Sequence, residues 1–460
     1  MFIPLLEEQI GAEKVSQNET ELFRHSKDES PHEPIEPEVV CFPENRIDIE
    51  KILHVAYTQG IAVTAFGAGT GLEGQAIPVQ GGISLNFENM KQVLNFSPEN
   101  MTVTVQPGLT RKQLNKLVNR HGLLFPVDPG ADATIGGMAA TNASGTTAVR
   151  YGSMRDQILD MEVVLADGTV IHTGTRAKKS SSGYHLTGLF TGSEGTLGII
   201  SEITLKLHGI PEHILMARCN FETLEGCAEA SQIILLSGIP VMRMELVDAT
   251  SIAQVNAYGN YDYQVKHTLF FEFAGMQAAV KEEVKLAKAL LHDLGCKNWE
   301  VASDHRDQRE IWKSRHELSY AYTHTQGMLD TGADVCVPIS RVPELIVYAR
   351  ELIEESGLKG GILGHIGDGN FHTIVIFDPK VQGEREKAFY TNEALSKRAI
   401  EVGGTCTGEH GVGLGKMQFQ EAEHGAAVDI MKRTKQMLDP KGILNPGKMF
   451  VGEPRAQELY

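Results

Sequence analysis

Apolar residues recur at helical spacing from Ile47 to Gln59, where Ile49, Ile52, Leu53 and Ala56 share one face and Gly60 stands in the helix-ending position. The same period predicts helices over 110–121, 222–236, 277–294, 308–325, 341–356, 384–402 and 424–438. Short apolar or alternating runs predict strands at 61–66, 82–86, 101–106, 161–166, 169–173, 198–207, 214–219, 267–273, 333–337 and 371–376. The pattern changes near Pro211. Strands and glycine-rich loops dominate before it, and helices alternate with strands after it, as expected of an α+β fold with a largely antiparallel sheet in the second half. A chain of 460 residues is too long for one core, so two or three domains are expected. Residues 30–38, rich in Pro and Glu, read as an extended entry segment.

One break in the pattern carries chemistry. Gly364-His365-Ile366-Gly367-Asp368-Gly369-Asn370-Phe371-His372 holds an Asp-Gly pair between apolar runs, a strong hairpin signal. A turn at Asp368-Gly369 would set Ile366 opposite Phe371 and His365 opposite His372. Directly opposed residues have Cβ atoms roughly 4.5–5.5 Å apart, close enough for two imidazoles to share one ion. The other reading is a surface turn with two unrelated histidines.

Composition narrows the field. A formal charge of −17 argues against a nucleic-acid binder and against wholesale adhesion to anionic lipid. Six cysteines include no Cys-x-x-Cys pair, so there is no zinc ribbon or iron–sulfur binding run, and such sparse usage fits a reducing cytoplasm. Met1 to Gly11 lacks a basic n-region and a long apolar run. The expectation is a cytoplasmic protein, at most peripheral to a membrane.

Gly69-Thr70-Gly71-Leu72-Glu73-Gly74 matches the dinucleotide fingerprint G-x-G-x-x-G. That motif must open a helix, whereas Gln75-Ala76-Ile77-Pro78 leads to Gly81-Gly82 and another strand, so the Rossmann reading is rejected. A glycine loop still lets successive backbone N–H groups face one anion. Two further segments join it: 127–145, dense in Gly, Ala, Thr and Asn, and Gly192-Ser193-Glu194-Gly195-Thr196-Leu197-Gly198-Ile199-Ile200. In that order, and with the closing Asn445-Pro446-Gly447-Lys448, these stretches resemble the PCMH-type FAD-binding domain of the vanillyl-alcohol-oxidase superfamily.

The resemblance runs from about 36 to 450 and implies an N-terminal segment (1–35), an FAD-binding domain (36–210), an α+β cap or substrate domain (211–405) and a C-terminal segment returning to the flavin (406–460). It implies that Gly67, Ala68, Gly69, Thr70, Gly71 and Leu72 cradle the pyrophosphate. Pro129, Thr134, Gly136, Gly137, Met138, Thr141 and Asn142 would line the isoalloxazine and ribityl side, and Glu194, Gly195 and Ile200 the adenosine half, with Asn445 on the returning segment. Neither His nor Cys occurs in 67–74, so the FAD is expected to be non-covalent.

A third ligand beside His365 and His372 is best sought in Gly403-Gly404-Thr405-Cys406-Thr407-Gly408-Glu409-His410-Gly411, where Glu409 and His410 offer a carboxylate and an imidazole between glycines. Two histidines and a carboxylate with open positions make a catalytic set for a divalent metal. Zinc is the first choice, with iron or manganese as alternatives.

The combined motifs resemble the branch that oxidises D-2-hydroxy acids, the D-lactate dehydrogenase, glycolate oxidase flavin subunit and D-2-hydroxyglutarate dehydrogenase family. That resemblance implies His365, His372 and Glu409 as metal ligands, His410 as base and Arg315, in Trp312-Lys313-Ser314-Arg315, as substrate anchor. Hydroxyglutarate-type members carry a Lys shortly before the Asp-Val of the strand read here as Asp334-Val335. This chain has Gly332-Ala333, which favours lactate or glycolate. Electrons must leave to an external acceptor, whether quinone, cytochrome, electron-transfer protein or iron–sulfur subunit, and a homodimer is compatible with the sequence. Two other readings stay open: a metal-dependent hydrolase using the same His/His/Glu set, and a non-redox FAD enzyme of the ether-lipid synthase type. Glu73 occupies a position where many relatives have a small residue.

Overall fold

The computed structural model describes residues 2–302, 304–323 and 327–452; the last positions of the helix expected over 308–325 and the end of the C-terminal segment lie outside the described residues. The chain divides into two compact units, one of residues 1–144, 152–210 and 409–460, the other of 145–151 and 211–408. No helix among the described residues is long and apolar enough to cross a membrane.

Besides a two-stranded sheet that pairs Leu123–Leu124 with His208–Gly209, the first unit holds two larger sheets among the described residues. In one, Val39–Cys41, Ile83–Asn86 and Val63–Phe66 run parallel, and Val15–Ser16 joins at the edge. The helix Arg46–Gln59 covers it: Asn45 caps the start by accepting the Asp48 N–H, and Gly60 ends it with φ 65°. Ile49, Ile52, Leu53 and Ala56 are fully buried, the stripe expected from their spacing. The other sheet is antiparallel, ordered Val93–Ser97, Thr102–Val105, Ile199–Lys206, Ile158–Val164, Val170–His172. Its core takes in Leu114, Val118, Ile135 and Met138.

The second unit is built on one antiparallel sheet ordered Lys297–Ala302, His213–Phe221, His267–Gly275, Val241–Val247, Lys359–Gly364, Asn370–Phe377, Leu329–Thr331, with Asp334–Cys336 also on Asn370–Phe377. One face packs Met244, Leu246, Phe271 and Phe371 against helices such as Leu224–Leu236 and Val342–Ser356. The other packs Val247, Phe270 and Leu363 against Ile252, Val255, Trp312 and Leu318 of the helices Ala249–Gly259 and His305–Thr323. Because strand side chains alternate, Arg243 and Glu245 share the second face with Val247. A sheet covered on both sides thus buries charged groups, which must be paired.

The hairpin register departs from expectation. Leu363, not His365, lies opposite His372. The strand ends at Gly364, and His365 to Gly369 form a five-residue loop, closed by Asp368 N–H to His365 O and Asn370 N–H to Asp368 Oδ1, with Gly369 at φ 90°. Asp368 spends its side chain on the loop, so the Asp-Gly pair does not make a two-residue turn.

Candidate active site

His365 enters the second unit's polar face from the loop. Leu246 is paired with Gly364, so the register brings the preceding Glu245 beside the following His365. His365 Nδ1 lies 2.7 Å from Glu245 Oε1. Glu245 is fully buried, and its Oε2 accepts Arg315 Nε at 2.9 Å and Nη2 at 2.7 Å. His372 sits opposite Asp334 in the adjoining strand pair, Nδ1 to Oδ1 3.4 Å. The two imidazoles meet edge to face with ring centroids 5.3 Å apart. The sequence-derived proximity is therefore present, reached through a different register.

Each histidine has a buried carboxylate near Nδ1, at 2.7 Å for His365 and 3.4 Å for His372; a carboxylate there favours the Nδ1–H tautomer and leaves Nε2 open as a ligand nitrogen. Asn370 adds an acceptor: its Nδ2 is held by Asp334 Oδ1 at 2.8 Å and Val335 O at 3.0 Å, while its buried Oδ1 has no hydrogen-bond partner among the described residues. Asp334 also tethers the end of the unit, accepting Thr407 Oγ1 at 3.0 Å and, at its carbonyl, the Gly408 N–H. Glu409 and His410 follow by direct peptide linkage. Within the second unit, His365 and His372 offer two imidazoles, with the buried carboxylates of Glu245 and Asp334 beside them. The donor types fit a divalent ion.

Glu245, Arg243 and Glu272 escaped sequence reading. Val241–Val247 was not among the expected strands, although Met242, Met244 and Leu246 alternate with Arg243 and Glu245 just after Gly238-Ile239-Pro240. Arg243 Nη1 donates to buried Glu272 Oε2 at 2.6 Å, as does Trp312 Nε1 at 3.1 Å. Arg315, expected as the substrate anchor, has two of its five N–H groups on Glu245.

In the first unit no helix opens at the glycine loop; 67–82 lead from Val63–Phe66 to Ile83–Asn86. The amides of Gly67, Ala68, Gly69, Thr70, Gly71 and Leu72 donate no hydrogen bond among the described residues. A row of unsatisfied N–H groups is what a pyrophosphate takes up. A Cβ at Gly67 would stand 2.5 Å from Thr134 Oγ1, which caps Ile135–Thr141 through the Gly137 N–H.

Other sequence-derived cofactor residues shape the surrounding backbone. Gly136 packs on Pro107, and Met138 is core. Thr141 Oγ1 donates to Gly137 O, and Asn142, at φ 53°, accepts from Ser153 Oγ and Arg155 N. Pro129 lies in the loop before Thr134, Gly195 packs near Ala65, and Ile200 is in the antiparallel sheet. Asn445 Nδ2 donates to Gln75 O and Glu194 O, and its N–H to Val63 O, fastening the returning segment beside the glycine loop.

Glu194, at φ 52°, turns its carboxylate inward to the N–H groups of Val412 (2.6 Å) and Gly413 (2.9 Å). Burial pushes it up to about 7, opposed by those two amides. His410 O accepts Gln75 Nε2 at 2.7 Å in the same region. Buried Glu73 faces buried Lys416 at 3.7 Å, and its carbonyl accepts the Leu414 N–H.

Residues 37–174 match the FAD binding domain model, and 210–449 match the C-terminal domain model of FAD linked oxidases. The chain belongs to this family of FAD-binding flavoproteins. A probable mitochondrial D-lactate dehydrogenase of Danio rerio is 42% identical over 96% of this chain and 90% of its own length. Glycolate oxidase subunit GlcD of Bacillus subtilis is 32% identical over 97% and 96%. Among solved structures, p-cresol methylhydroxylase superposes with a TM-score of 0.81 at 17% identity, covering 98% of this chain and 97% of that one, and shares the fold.

Proposed function

We propose that this protein is an FAD-dependent dehydrogenase of a small D-2-hydroxy acid, D-lactate or glycolate, assisted by a divalent metal, zinc first and iron or manganese otherwise. The observation that carries this reading is the pair His365 and His372, each backed by a buried carboxylate, with Arg315 held on one of those carboxylates. The names of the relatives, D-lactate dehydrogenase and a glycolate oxidase subunit, support the substrate class. A Cβ at Gly332 would lie 2.3 Å from Thr373 O, leaving no room there for the side chain that a second substrate carboxylate would need.

A bound, non-covalent flavin would supply hydride acceptance from the substrate Cα, and a divalent ion held by His365, His372 and Glu409 would supply acidification of the hydroxyl. The chain's own residues do the rest. His365, His372 and Glu409 would hold the ion. Arg315 presents its remaining N–H groups to the carboxylate, a planar recognition that lysine does not reproduce. His410 takes the hydroxyl proton, a role suited to imidazole because its ordinary pKa lies near neutrality. Electrons then pass to an external acceptor, a quinone, cytochrome or other redox protein.

The family match removes the flavin-free hydrolase reading. Anaerobic mixing with a panel of D- and L-2-hydroxy acids tests the rest. D-lactate or glycolate should bleach the flavin stoichiometrically; bleaching by none of them would leave a non-redox role of the ether-lipid synthase type. His410→Ala should keep its FAD and lose the bleaching.

A further inference from the structure

We infer that Glu245 is a positioning residue that couples metal occupancy to recognition of the substrate's carboxylate. The inference rests on the metal-dependent reading above. One fully buried carboxylate serves two cationic or polar partners through different oxygens: Oε1 takes His365 Nδ1, and Oε2 takes Arg315 Nε and Nη2. Asp334, the carboxylate behind His372, is instead engaged by Asn370 and Thr407. Glu245 therefore joins a ligand side chain directly to the substrate-anchoring arginine.

The sheet builds this junction. Glu245 is fixed between two strands, opposite Phe270 on one side and next to the Leu246–Gly364 pair on the other. Its charge is tolerated in a covered sheet because two guanidinium N–H groups and an imidazole nitrogen converge on it. A metal on His365 Nε2 draws electron density from the ring and makes Nδ1–H a stronger donor. Oε1 is then held more tightly and the carboxylate gives less charge to Arg315. The guanidinium becomes a better site for an external anion. Linkage makes the effect reciprocal, so an anion on Arg315 also favours the ion. Without Glu245's charge, His365 loses its tautomer lock, a change that typically costs 10–100-fold in metal affinity.

The test compares the holoprotein with Glu245→Gln and with Glu272→Gln, the neighbouring buried carboxylate that holds Arg243 and Trp312. Zinc and manganese dissociation constants are measured by titration, and oxalate, a carboxylate probe, is titrated by flavin spectral perturbation with and without the ion. Wild type should bind oxalate more tightly when the ion is present. Glu245→Gln should hold its full FAD, bind the ion about 10–100-fold more weakly and lose more of the ion-dependent gain in oxalate binding than Glu272→Gln does. Should Glu245→Gln fail to fold, Glu245→Asp, which withdraws the charge by one methylene, is read in the same way. Metal binding as tight in the Glu245 variant as in wild type overturns the inference alone. A wild type that binds neither ion overturns the metal reading and the inference with it.

Discussion

Asp334 Oδ1 stands 3.4 Å from His372 Nδ1, and the other oxygen of the same carboxylate accepts the hydroxyl of Thr407. One side chain thus stands behind the proposed ligand His372 and anchors the backbone that continues into Glu409. Asp334→Asn keeps the shape and removes the charge. Metal retention should fall about 10–100-fold, read as metal content after dialysis against chelator, while the flavin absorbance stays unchanged.

Arg315→Lys keeps a positive charge but not a fork. Lysine cannot bond Glu245 through two nitrogens and also present a planar face to a carboxylate. Losing a charge-assisted bond worth about 1.5–3 kcal/mol should lower kcat/KM for D-lactate roughly 10–100-fold, chiefly through KM. Steady-state kinetics with an artificial acceptor measures it, and flavin content should match wild type.

Gly67→Ala places a Cβ where Thr134 Oγ1 stands at 2.5 Å. The hydroxyl must move, weakening the cap on Ile135–Thr141 by about 1 kcal/mol, and the cradle moves with it. Flavin retention should weaken about tenfold, followed as the appearance of free-flavin fluorescence on dilution.

Phe371 is fully buried beside His372 in the strand. Phe371→Ala should destabilise the second unit by about 3–5 kcal/mol. A lowered midpoint in calorimetry checks this; an unchanged midpoint would contradict the packing.

Glu194 makes stability pH-dependent. Burial raises its folded pKa to about 7 from an ordinary 4.5. Its contribution is full below the unfolded value and is lost as pH rises through about 7, roughly 3 kcal/mol at the limit. Lys448, drawn down by burial to about 8, changes state above this window. Between pH 4.5 and 7, wild type should lose thermal stability relative to Glu194→Gln, in which no carboxyl titrates; parallel melting curves across that range would refute it.

The sequence alone determined the elements and the donor types. The stripe Ile49, Ile52, Leu53 and Ala56 declared its helix because burial follows the 3.6 period. The sequence also excluded a Rossmann loop, because Gln75 to Gly82 run on to a strand and open no helix. His365 and His372 were legible as neighbours from their close spacing in the chain. Their register was not, because Asp368 bonds within the loop and shifts the pairing by two residues. Glu245 was invisible in its role for a stronger reason. Its partners His365 and Arg315 lie 120 and 70 residues away, and only strand order brings them together. An alternating Arg-x-Glu on a strand reads as a solvated face; here helices cover that face, and burial turns the charges into a paired network. Local pattern reports which groups a strand carries. The sheet's order and covering decide whether those groups meet water or one another.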